Sequence, residues 1–334
     1  MTKTITCPTR RALLGTAFAA AAFFTAALGS AAEARELRMG LITPPSHVWT
    51  RVAERMAEKL PEASDGALSL AVFPAGQLGS EQEMFQQMSG GLLDAGLMTA
   101  AITSLRAPSL QGWFTPYLFG DVSDAIAAAD TEAAQEMLAE LDRAGLVGIG
   151  YTFAGMRHIL MKEAPATSPE DLQRKKIRIV PFPAMKTWWE TVGAVPTPVN
   201  LTEVYQSLQS GLLDGIDIDL DALVGLKFDE VAHGLTITNH MSFPAVLTVS
   251  KVTWMTLSED ERAAFTEVAA EALAWGSQEQ VAAERDNLAV LEGKLEIVTL
   301  EDGGTVFAEA NAAGDASFEG NPVIGKFRTE AAGE

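Results

Sequence analysis

The chain has 334 residues, 48% of them hydrophobic, with 24 basic and 44 acidic side chains and a formal net charge of -20. That length and apolar content suit one large domain or two ordinary lobes and exclude a disordered polymer. Such an acid excess repels nucleic acid and anionic lipid, so neither is an expected partner.

The first 34 residues stand apart. MTKTITCPTRRALLG begins basic, with Lys3, Arg10 and Arg11, and LLGTAFAAAAFFTAALG continues without a charge. The small-x-small site at Ala32–Ala34 completes a cleavable export signal over residues 1–34, and TRRALL partly matches the twin-arginine signature. A retained anchor is the competing reading, but the apolar run is short for one. Cys7, the only cysteine, lies in this segment, so the mature chain has no thiol nucleophile and no thiolate metal ligand. No later stretch is apolar and long enough to span a bilayer, so a soluble protein outside the cytoplasm is expected.

From Glu36 onward strands and helices alternate. ELRMGLI reads as a strand, and Val48, Val52, Met56 and Leu60 then mark the apolar face of a helix. ALSLAVFP is a second strand; Ser80 caps the next helix with Glu83 at the reciprocal position, and LLDAGLMT is a third strand. DAIAAADTEAAQEMLAELDRAG is helical and LVGIGYTFAG is again a strand. Ser168 and Pro169 open a further unit that leads into the strand around Arg178. Ser258 and Glu261 open a long helix from about Glu259 to Leu291, with Gly276 as a candidate bend. LEIVTL is a last strand, and the glycine-rich AAGDASFEGNP predicts a mobile C-terminal region. The alternation predicts parallel α/β layers.

The chain also echoes itself. EMFQQMSGGLLDAG, from Glu83, matches EVYQSLQSGLLDG, from Glu203, each a helix, a glycine suited to a left-handed cap, and a strand. Chance recurrence of Gly-Leu-Leu-Asp is the bland reading; two lobes of similar construction is the favoured one.

Arg178 lies between isoleucines in KKIRIVPFP, close to a strand end that prolines terminate. Arginine keeps its charge and pairs with carboxylates through a rigid fork, so a buried one needs an anion. Three readings stand: a ligand carboxylate in the crevice at the strand ends, an internal salt bridge, or exposure. Arg157, in FAGMRHIL just past a strand, is a candidate second pole for the same anion or an ordinary loop arginine.

Several segments carry a family resemblance. VFPAGQLG, GMRHILMKEAPATSPEDLQRKKIRIV, VGAVPTPVNLTEVYQSLQSGLLDG and LKFDEVAHGLTITNH, in that order, resemble the solute-binding subunit of tripartite ATP-independent periplasmic (TRAP) transporters, the DctP-like family. The resemblance implies an α/β, two-lobed periplasmic-binding-protein-like fold with crossing strands and a long brace helix. It implies residues 35–157 and about 244–285 in one lobe, and about 158–243 and 286–334 in the other, with solute between them. It puts the main carboxylate-binding arginine on Arg178 and a frequent second arginine on Arg157. The implied partners are a small organic acid and the TRAP membrane subunits, the implied place is the periplasm, and no cofactor, metal or catalysis is implied.

The sequence departs from the family at DGIDIDLDA. Ile218 stands where many members have a solute-contacting asparagine, and Asp217 replaces a glutamate. Asp217, Asp219 and Asp221 alternate as if along one side of a strand. They are candidates to meet hydroxyls or an amine on the solute, to balance Arg178, to form a solvated edge, or to make a calcium site, though the turn glycine and closing glutamate of a calcium loop are missing. Trp49 beside His47, Trp113, Trp188 and Phe243 are candidate aromatic walls, with core packing the alternative and only one of Trp188 and Trp189 expected to face the core well. Glu81 is a candidate hydroxyl contact or simple dipole compensation. The four histidines lack zinc spacing. An ATP-driven importer's receptor is one alternative function. A secreted enzyme on small acids, with His47 or Asp217 as base, is another, and no complete catalytic constellation supports it.

Overall fold

The computed structural model describes residues 34–333 together with Met1, Thr2 and Thr4. The expected export segment, 1–34, lies almost wholly outside the described residues. In chain order the strands are β1 (Arg35–Gly40), β2 (Leu68–Phe73), β3 (Ala95–Thr99), β4 (Leu146–Met156), β5 (His158–Met161), β6 (Lys176–Ile179), β7 (Val195–Pro198), β8 (Gly215–Ile218), β9 (Gly234–Ile237), β10 (Ser242–Ser250) and β11 (Glu296–Thr299). They form two sheets, ordered β2-β1-β3-β10-β4 and β11-β9-β5-β8-β6-β7.

The two sheets are built alike. In the first, β2, β1 and β3 run parallel and β10 is antiparallel to both β3 and β4. In the second, β7, β6 and β8 run parallel and β5 is antiparallel to both β8 and β9. The antiparallel strand of each sheet belongs to a stretch of chain that has just left the other sheet. β4 hands over to β5 at Arg157, and β9 hands back to β10 through Thr238–Met241. The two crossings bond to each other: the Arg157 N–H donates to the Met241 carbonyl at 2.8 Å.

The sequence echo has a structural cause. Gly91 and Gly211 both sit at positive φ, 76° and 75°, where a side chain would be strained. The second leucine of each copy, Leu93 or Leu213, is buried, and the first, Leu92 or Leu212, is exposed. Asp94 accepts the Arg38 N–H at 2.9 Å and Asp214 accepts the Lys176 N–H at 2.8 Å. Each aspartate thus ties the start of its strand to the parallel neighbour, β1 in one sheet and β6 in the other.

The long helix, Glu259–Leu291, is continuous, with no break at Gly276. Its Ser258–Glu261 capping box is formed in both directions. It packs on the Val48–Ala63 helix, on β4 and on the Leu220–Gly225 helix, and so braces elements of both lobes. Near the first crossing Glu284 accepts the Met156 N–H at 2.8 Å. Burial pushes the Glu284 carboxyl up to about 7. Gly155, at φ 101°, has the Glu284 carboxylate pressed where a side chain would be, so no other residue fits this bend.

The C-terminal region differs from expectation. Ala308–Ala316 and Pro322–Ala331 are helices, and Asn321 caps the second by accepting the Val323 and Ile324 N–H groups. Buried Phe318, Ile324 and Phe327 hold the segment down, which the small residues between them conceal in the sequence. The last helix packs on Glu132–Ala139 and Val122–Ala128, beside the first sheet, rather than in the second lobe.

Gly276 meets Val52 so closely that a Cβ there would lie 2.3 Å from Val52 Cγ2. Valine is stiff and cannot yield cheaply. Gly276→Ala is therefore expected to destabilise the protein by about 1–3 kcal/mol through overpacking, more than the roughly 1 kcal/mol of helix propensity it gains. A lowered urea midpoint at unchanged slope checks this.

Candidate functional site

Arg157 stands at the first crossing, only 1% exposed. Its Nη1 donates to Asp219 Oδ2 at 3.0 Å, and its Nε and Nη2 donate to the Asp217 carboxylate and backbone carbonyl. The Phe243 ring covers its face, 4.2 Å from the guanidinium carbon. Asp217 is satisfied on both oxygens, since Oδ2 also accepts from His240 Nε2 at 2.9 Å and Trp189 Nε1 at 3.2 Å. Burial alone would raise the Asp217 carboxyl, but Arg157 and His240 hold it well below the usual range. The charge of Arg157 is thus spent inside the protein.

Arg178 is the opposite case. It is 5% exposed, on β6, and its Nε donates to the Val199 carbonyl at 2.9 Å. Among the described residues its terminal nitrogens find no hydrogen-bond partner and no carboxylate within ion-pair distance. Burial, and then the neighbouring charge of Arg157, press its pKa down to about 10. A desolvated cation with no carboxylate paired to it is costly to hold, and its fork has the geometry that pairs with a carboxylate.

Arg178 lines two pockets, which also share Ile42, Glu81, Val180 and Leu201. The outer cleft, about 450 Å³, runs from the Gly79–Glu83 segment to the Pro198–Glu203 segment. The inner pocket, about 40 Å³, lies between Arg178, Trp49, Glu81, Asp219, Ile218 and Phe243. Glu81 accepts the Thr99 N–H and, at 3.0 Å, the Thr99 hydroxyl. Burial nonetheless pushes its carboxyl up to about 7. His47 caps the Val48–Ala63 helix, its Nδ1 accepting the Trp49 N–H at 3.1 Å. Its proton therefore sits on Nε2, 3.7 Å from Asp219. Burial opposes a second proton on His47, but Asp221 and Asp219 outweigh it and hold the imidazole pKa above its ordinary value. Trp49 stacks on Phe243 at 6.2 Å, and its Nε1 is buried with no partner among the described residues.

Of the candidates read from the sequence, Arg178, Arg157, Asp219, Glu81, His47, Trp49 and Phe243 come together at the inner pocket. Asp217, Trp113 and Trp188 line neither space. Trp113 packs among Tyr151, Phe153 and Phe327. Trp188 donates to Asn311 at 2.8 Å, and Trp189 is buried with it, because the C-terminal helix gives the first indole a core of its own. The alternating aspartates do not share one strand face. β8 ends at Ile218, Asp219 caps the Leu220–Gly225 helix by accepting the Ala222 N–H at 2.8 Å, and Asp221 accepts the Val48 N–H at 2.8 Å. Asp217 and Asp219 neutralise Arg157, not Arg178. Thr99 and His240, which anchor Glu81 and Asp217, carry no motif that would have marked them; only their place at the ends of β3 and the second crossing does so.

Two similar lobes, two crossing strands, a brace helix and a buried unpaired guanidinium between the sheets define an extracytoplasmic solute receptor. The chain belongs to the bacterial extracellular solute-binding protein family 7 (DctP), whose model matches residues 39–312, and is thereby a periplasmic TRAP-type solute-binding protein rather than an enzyme. A solute-binding protein of Roseobacter denitrificans is 29% identical over 92% of this chain and 95% of its own length. Among solved structures, a TRAP solute-binding protein of Bradyrhizobium in complex with galacturonate is 27% identical, with a TM-score of 0.85 over 90% of this chain and 100% of that one. Another, from Sulfurospirillum deleyianum with bound succinate, is 25% identical, with a TM-score of 0.83 over 89% and 99%.

The two arginines should respond oppositely to removal. Arg157→Met strands two buried carboxylates and is expected to cost about 3–5 kcal/mol. Arg178→Met removes an unpaired buried charge and is expected to leave the solute-free protein as stable or more so. Urea unfolding of both variants without solute tests the contrast.

Proposed function

We propose that the protein captures a small organic acid between its lobes, gripping the carboxylate with Arg178, and delivers it to the membrane subunits of a TRAP transporter. The observation that carries this reading is the uncommitted fork of Arg178 inside a desolvated cleft. Glu81, Trp49 and Phe243 flank that fork and are the further solute contacts; Arg157 serves as the structural pivot behind them. The lobes would meet on the carboxylate and exclude water from it, which strengthens the ion pair. Binding then shifts the protein toward the closed form that the membrane partner reads. The acids named for relatives, galacturonate and succinate, support a carboxylate as the shared feature.

Arg178→Lys keeps the charge but loses the planar fork. It is expected to weaken binding of any cognate acid by about tenfold or more, the worth of one charge-assisted hydrogen bond. Calorimetry giving wild-type affinity would sink the role assigned to Arg178.

The Glu81 carboxyl adds a pH dependence. Below about 7 it is protonated and leaves Arg178 to the solute; above about 7 its charge competes for the guanidinium and repels the incoming anion. Affinity for a carboxylate is therefore expected to fall as pH rises from 6 to 8, and Glu81→Gln to flatten that profile.

A further inference from the structure

A second groove lies outside the solute site. It encloses about 380 Å³ between the Glu81–Ser89 helix, the Ala100–Thr103 helix with the turn that follows it, and the Glu140–Ala144 turn. It borders the outer cleft, for Gln82 and Ile102 line both. Phe85 and Ile102, 8% and 6% exposed, give it an apolar floor, and Leu105 stands out from its wall, 41% exposed. Among the described residues the charged side chains that line it are Arg106 and Arg143, and no acid does. Both arginines are exposed, and among the described residues neither has a carboxylate within ion-pair distance. The Arg106 guanidinium reaches only the carbonyl of its neighbour Leu105, at 3.5 Å. The acids on the Arg143 turn are held elsewhere: Glu140 accepts the Ser109 N–H and hydroxyl, and Asp142 accepts the Lys251 ammonium.

Two uncommitted guanidinia over hydrocarbon are an exception in a chain of net charge -20. They complement a segment that carries carboxylates beside an apolar side chain. A lipid surface fits less well, because the acids over the rest of the chain are repelled by anionic headgroups. A small solute fits less well too. All three lining segments pack on strands of the first sheet, so the lobes have no second wall to close over the groove.

We propose that this groove is a foothold for the membrane partner. An acidic extracytoplasmic segment of the TRAP membrane subunits pairs with Arg106 and Arg143 and lays an apolar side chain against Phe85 and Leu105. This rests on the reading of the protein as a receptor that delivers solute to those subunits. Because the groove is built on one sheet, lobe closure leaves it unchanged. Docking through it therefore needs no solute, and it places the partner beside the outer cleft before closure is read.

Interferometry with the solute-free receptor tests the proposal. The probes are its own TRAP membrane subunits in phosphatidylcholine nanodiscs, and empty nanodiscs of phosphatidylcholine or phosphatidylglycerol. The wild type is expected to dock on the subunits and on neither empty disc, with affinity that falls as salt rises. The double variant Arg106→Glu, Arg143→Glu is expected to dock at least about tenfold more weakly and with little salt dependence. Leu105→Ser is expected to weaken docking without changing its salt dependence. Unshifted melting temperatures establish that the variants are folded. Wild-type docking by the double variant overturns the foothold and leaves the delivery reading standing. Equal binding to empty phosphatidylglycerol discs, lost in the double variant, assigns the arginines to lipid and overturns the proposal. Wild-type docking that appears only when galacturonate or succinate is added overturns the foothold alone, and no docking in either state overturns the delivery reading with it.

Discussion

The ion cluster of Arg157 with Asp217 and Asp219 holds the two halves of this protein in register. Arg157 lies where the chain leaves one sheet for the other, and its partners lie at the end of β8, in the second sheet. His240, from the return crossing, closes the same carboxylate. Four charged or polar side chains from three segments therefore meet where backbone continuity alone would leave a loose joint. Low dielectric makes such a cluster unforgiving: complete, it specifies one geometry; with a member missing, it strands a charge.

That commitment of Arg157 is what gives Arg178 its character. Two guanidinia enter the same buried region, and the acids nearby are divided unequally between them. Asp217 and Asp219 go to the joint, Glu81 is bound up with Thr99, and Arg178 keeps only the Val199 carbonyl. The receptor thus stores an unpaired charge in its cleft, a local cost in stability that, on the proposed reading, a bound anion would remove. Such an arrangement would couple binding to closure without any dedicated latch, because a counter-charge is most valuable where water is excluded.

Much of this was legible in the residue order. The caps at Ser80 and Ser258 depend on contacts three residues apart, and they formed as the local pattern indicates. The echo of Gly-Leu-Leu-Asp reflected a real repeat, because a left-handed glycine and a strand-tethering aspartate are local devices used twice. The position of Arg178 at a strand end was readable for the same reason. What failed was long-range. Alternating aspartates suggested a strand face, but Asp219 turns the chain into a helix by capping it. Trp188 resembled a cleft residue because its true partner, Asn311, arrives from a segment more than a hundred residues away. The C-terminal helices hid behind glycine and alanine, since their burial comes from Phe318, Ile324 and Phe327 meeting other parts of the body.

The exchange of antiparallel strands has a consequence for how the molecule comes into being. β4 joins its sheet only through β10, so residues 146–156 have no strand partner until residues 242–250 exist. Neither lobe can be completed from its own continuous stretch of polypeptide. Three-quarters of the chain must be made before the first sheet closes, and the contacts that close it span about a hundred residues, which makes assembly slow and all-or-none. A nascent molecule of this design remains an open, unfinished ribbon through most of its synthesis, and its two lobes are born together.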